Sequence, residues 1–141
     1  MPYPITDPYT SSQMCLNRLS GEYAQHGSLF VAFDFDNTVY DIHHKGYVYD
    51  RVEDLLRACK KLGFKLILFT CKETQVELEQ CAAYCERRGY APDYINESPL
   101  MDTRKPYYNI LLDDRAGLCQ AVELLEELID IIRMGLLDDS S

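Results

Sequence analysis

The chain has 141 residues, 47% of them hydrophobic and 26% charged, which are globular values rather than those of a disordered chain. That length suits a single domain, residues 1–141, and is short for two. A net charge of -9 and a pI near 4.7 disfavour a broad nucleic-acid surface, and no apolar run approaches the length that spans a bilayer.

Residues 1–10, with prolines at 2, 4 and 8, read as an extended lead-in, without the basic-then-apolar build of a signal peptide. A cytoplasmic protein with no membrane partner is therefore expected. Ser11 or Ser12 can cap a helix running to about Gln25, with Met14, Cys15, Leu19 and Tyr23 toward the core and Gly27 as its stop. "LFVAFDF" follows, a short apolar run suited to a strand buried on both faces. Residues 39–49 place tyrosines and valines around a Lys-Gly pair and suggest a hairpin or looped flap. Asp50 can cap the next helix, with Val52, Leu55, Leu56, Cys59 and Leu62 inward and Gly63 closing it. "FKLILFT" is a second buried strand, 73–88 a third helix ended by Gly89, and "PDYIN" a short strand. "YNILLDD" is the last strand, and 116–134 a closing helix with Leu118, Val122, Leu125, Leu128, Ile129 and Ile132 on one face. Six cysteines without a C-x-x-C pair read as buried, reduced thiols rather than a zinc site.

Strands alternating with helices imply a parallel sheet flanked by helices, and such sheets bind ligands beyond the carboxyl ends of their strands. The first strand ends on Asp34 and Asp36, the second on Thr70, and the last on Asp113 and Asp114, with Lys105 just before it. Carboxylates gathered from two strand ends repel strongly unless a cation sits among them, and magnesium suits such hard oxygen ligands. An ionised Asp34 can attack phosphorus, while Asp36 can protonate the leaving oxygen and later take a proton from water. A lysine and a threonine hydroxyl suit the other oxygens of a phosphoryl group.

These residues resemble the motifs of the haloacid dehalogenase (HAD) superfamily of phosphohydrolases. Its D-x-D-x-T motif matches "VAFDFDNT", its strand ending in Thr or Ser matches "LILFT", its lysine matches "KP" at Lys105, and its paired acids match "ILLDD". The matches fall in the family's order over residues 29–118. The resemblance implies a three-layer Rossmann-like sandwich with the first-motif strand central. It implies Asp34 as nucleophile and metal ligand, and Asp36 as general acid and base with its backbone carbonyl on magnesium. Thr70 and Lys105 would hold the phosphoryl group, Lys105 ahead of its neighbour Arg104 because a compact ammonium suits a point contact. Asp114 aligns with the family's further metal ligand, and Asp113 stands beside it.

Family members usually carry a cap domain after the first motif or between the second and third, and neither interval has room for one here. The expected protein is thus a small, cap-less, Mg2+-dependent phosphatase acting on a phosphorylated substrate, as a monomer or homo-oligomer. The flap is the segment placed to read the leaving group, with His43 and His44 as candidate contacts. Two other readings are a phosphoacceptor signalling module, in which these groups would come in a different order, and a silent phosphate-binding protein.

Overall fold

β1 (Phe30–Asp34) runs through the middle of a parallel sheet, between β2 (Lys65–Phe69) and β4 (Ile110–Leu112), and β2 also pairs with β3 (Tyr94–Ile95). The order is β3-β2-β1-β4, in a computed structural model that describes residues 8–135. Val31 pairs with Leu66 and Ile110, and Phe33 with Leu68 and Leu112, so apolar rows continue across three strands. Central placement buries both faces of β1: Val31, Ala32 and Phe33 are all fully buried, the expected reward for an unbroken apolar run. A Val or Phe side chain so placed contributes about 1.5–3 kcal/mol.

Among the described residues there are four α-helices, α1 (Ser12–His26), α2 (Asp50–Lys61), α3 (Gln75–Arg87) and α4 (Leu118–Arg133). Their buried side chains form one cluster with Val31, Phe33, Leu66, Leu68, Ile110 and Leu112. The opposite face carries Ala32 and Ile67, also fully buried. To reach β4 from β3 the chain must cross β2 and β1, and it does so in the helix-free run 96–109, where the Tyr108 ring meets that of Phe69 at 6.2 Å. The result is the expected Rossmann-like α/β sandwich with β1 central and, among the described residues, no cap domain.

Local chemistry sets the boundaries. Ser11 caps α1 by accepting from the Met14 N–H, and Gly27 takes the left-handed conformation (φ 71°) that ends it. Leu16 is buried in α1 where Met14 and Cys15 were expected; those two are half-buried. Asp50 does not cap α2: it is the first helical residue, and Tyr49 stands at the cap without a side-chain bond. In α3, Thr74 and Glu77 form a reciprocal capping box, so the helix starts later than the periodicity suggested.

Residues 1–7 of the lead-in lie outside the described residues; Pro8–Thr10 form a 3-10 turn rather than an extended segment. The 39–49 segment is a loop without strands, apart from a single bridge between Asp36 and Tyr40. All six cysteines are free; Cys59, Cys81 and Cys85 are buried as expected, whereas Cys71 and Cys119 are exposed and Cys15 is half-buried. Among the described residues no helix is long and apolar enough to cross a membrane.

Candidate active site

β1 and β4 are neighbours, so their carboxyl ends deliver Asp34, Asp113 and Asp114 to one place. An oxygen from each lies within 4.8 Å of the others. Asp34 is half-buried, and burial first, then the charge of Asp113, pushes its carboxyl up to about 7 from an ordinary 3.8. The Asp113 carboxylate also accepts from the Arg115 N–H at 2.9 Å, which fixes it at the turn after β4.

The turn after β1 depends on Asn37, whose φ of 62° is left-handed, a conformation asparagine tolerates better than most residues. There the Phe35 carbonyl accepts from the N–H groups of Thr38, Val39 and Tyr40. Thr38 is thereby carried under the acids and is fully buried. Its hydroxyl accepts from the Asp114 N–H at 3.1 Å and lies 3.4 Å from Asp34 Oδ2 and 3.5 Å from Asp114 Oδ1. One hydroxyl therefore ties the two acid-bearing strand ends together.

Asp36 faces elsewhere. Its Oδ2 is ion-paired with Lys72 Nζ at 3.2 Å, and its Oδ1 is buried without a hydrogen-bond partner. Thr70, at the end of β2, is held through its backbone: its N–H donates to Asn96 Oδ1 at 2.8 Å and its carbonyl accepts from Asn96 Nδ2 at 3.0 Å. Its hydroxyl accepts from the Lys72 N–H at 3.3 Å, which leaves its own proton available to an incoming oxygen.

Asp34, Thr70, Asn96, Arg104 and Asp113 line one cavity of about 390 Å3. Lys105 is not part of that lining; it is exposed, and among the described residues it makes no ion pair. Its neighbour Arg104, also on the irregular run 96–109, lines the cavity instead.

No family model and no curated protein matches this sequence. Among solved structures, a conserved protein coded by a locus of Bacteroides thetaiotaomicron is similar, with a TM-score of 0.57 and 19% identity over 77% of this chain and 92% of that one. The likeness is one of fold.

Two contributors to the site were not singled out from the sequence. Thr38 carried a signal, as the threonine of D-x-D-x-T. Asn96 carried less: an asparagine after a two-residue strand resembles an ordinary turn residue until the strands are assembled. Lys72 flanks the rim in the sequence, where a leaving-group contact and plain surface charge weigh equally, and its ammonium pairs with Asp36. His43 and His44 lie exposed on the 39–49 loop, His44 with its ring edge-on to Tyr40 at 6.3 Å.

Proposed function

We propose that the protein is a magnesium-dependent phosphomonoesterase of the HAD type that works through an aspartyl-phosphate on Asp34. The observation that carries this reading is the convergence of Asp34, Asp113 and Asp114 within 4.8 Å, in a site that Thr70 and Arg104 complete. The donor set fits the ion: hard carboxylate oxygens, few in number, with a nucleophile whose charge is disfavoured first by burial and then by the neighbouring Asp113. Asp34, Asp113, Asp114 and the Asp36 carbonyl would hold it. When bound, the ion supplies positive charge to the phosphoryl oxygens.

The chain's own groups do the rest. An Asp34 oxygen attacks phosphorus, the bond from phosphorus to the alcohol oxygen breaks, and Asp36, which must part from Lys72 to do so, gives that oxygen a proton. Water then attacks the phosphorus of the Asp34 ester and yields its proton to Asp36, releasing inorganic phosphate and restoring Asp34. The Thr70 hydroxyl donates to one phosphoryl oxygen throughout. Arg104 lines the cavity and offers a planar fork to two more, which favours it over Lys105 for that role.

Phosphate release from p-nitrophenyl phosphate, with and without Mg2+, tests the proposal. Metal-dependent release that disappears in Asp34→Asn is the expected result. A stably phosphorylated Asp34 without release would mean a phosphoacceptor module, and phosphate binding with neither would mean a silent binding protein.

A further inference from the structure

A second cavity, of about 300 Å3, has Asp36 in its lining. It shares no lining residue with the first: Asp34 lines one and Asp36 the other. Its wall is aromatic. Phe35 and Tyr40 stack at 5.2 Å, and Tyr84 from α3 meets both edge-on, at 5.4 and 5.3 Å. Cys81 and Ile42 extend the apolar lining. Gln80 and Arg87, also on α3, stand at the cavity with exposed side chains that make no hydrogen bond or ion pair among the described residues. The Lys72–Asp36 pair also lines the cavity, with Asp36 Oδ1 buried and unpartnered.

The division of the two aspartates between two cavities gives the substrate a direction. With phosphorus held at Asp34, the leaving oxygen must come within proton-transfer distance of Asp36. The alcohol attached to that oxygen then continues into the cavity that Asp36 lines. We propose that this cavity is the leaving-group site and that it selects phosphate monoesters whose alcohol carries a planar ring, with a polar substituent turned toward Gln80 and Arg87. The proposal rests on the phosphomonoesterase reading for the placement of phosphorus. A wall of three mutually packed rings offers a flat partner both apolar area and ring–ring geometry, at little cost in ordering.

The test compares 2-phenylethyl phosphate with n-propyl phosphate, whose alcohols are similar in acidity, so that chemistry alone does not favour the ring. The matching phosphonates, which cannot be hydrolysed, report binding by calorimetry. We expect the ring ester to lead by about tenfold in kcat/KM and the ring phosphonate to lead similarly in affinity. Gln80→Trp fills the cavity from an exposed helical position, so the fold is kept, and should bring both ratios close to one; Tyr84→Ala should lower them severalfold. Equal binding of the two phosphonates by the unaltered protein, or a binding ratio that Gln80→Trp leaves in place, overturns the proposal. If neither ester is hydrolysed while the ring phosphonate still binds better and Gln80→Trp removes that advantage, the ring site stands and the hydrolase reading falls.

Discussion

Thr38 has no acid–base chemistry of its own, yet its hydroxyl contacts both acid-bearing strand ends. Thr38→Val keeps the shape and leaves the Asp114 N–H without its acceptor. A loss of about 1–2 kcal/mol by urea titration is expected. Mg2+ affinity should weaken at the same time, because the two carboxylates lose their shared tether. An unchanged Mg2+ titration would show that the tether does not set the geometry of the acids. Asp34→Asn tests the nucleophile directly: an amide oxygen is a poor attacking group, and turnover should fall by about a thousandfold or more. Near-normal turnover in that variant would end the covalent mechanism.

At the scale of elements, α2 is clamped to the end of α3 by Glu53, which is buried and accepts from Arg88 Nε, from Arg88 Nη2 at 2.8 Å and from the Tyr90 hydroxyl. Burial alone would raise the Glu53 carboxyl, but the hydrogen bonds from Arg88 and Tyr90 outweigh it and hold it below its ordinary 4.5. A carboxyl lowered in the folded state stabilises the fold above its ordinary value and loses that contribution as pH falls through the folded one. Glu53→Gln should therefore cost about 2 kcal/mol at neutral pH, and the difference from the parent protein should shrink as pH falls below the ordinary 4.5. Denaturation midpoints across that range would show it, and a pH-independent difference would mean that the clamp works by packing rather than charge.

The same scale shows what could be read from the chain in advance. Apolar runs that stop abruptly mark strand ends, so the positions of Asp34, Thr70, Asp113 and Asp114 on one edge followed from sequence. Helix starts followed less well. Asp50 looked like a cap and is not, while the Thr74–Glu77 box was legible in T-x-x-E and overrode periodicity by two residues. The 39–49 segment alternated like a hairpin, but Asp41 closes it locally: its Oδ2 accepts from the Gly46 N–H at 2.8 Å and the Tyr47 N–H at 3.2 Å. That bond set leaves no register for a strand pair. The run 96–109 has neither period, so nothing in it announced that Arg104 rather than Lys105 would line the cavity.

For the whole molecule, a cation held by the acid cluster would make stability depend on solution cations. A ligand that binds only the folded state stabilises it by mass action, about 1.4 kcal/mol at a tenfold excess over Kd, or about 4 °C in Tm for a domain of this size. Millimolar Mg2+ should raise the Tm accordingly, and Asp113→Asn combined with Asp114→Asn should abolish the shift. A melting temperature indifferent to Mg2+ in the unaltered protein would count against the metal site.

The position of β4 beside β1 also has a consequence in time. β1, α2 and β2 are consecutive and can form from nearby contacts. Seating β4 is different: the Asn109 side chain that accepts from the Phe30 N–H bridges 79 residues of chain. Closing so long a loop is expected late in folding, after the local unit is in place. Asp113 and Asp114 travel with β4, so the acid cluster is not assembled until that strand docks. Mg2+ should then leave the folding rate nearly unchanged and slow unfolding instead, since it stabilises contacts absent from the transition state. In stopped-flow measurements the metal would act as a latch on the finished protein, and acceleration of folding by Mg2+ would show that β4 arrives early.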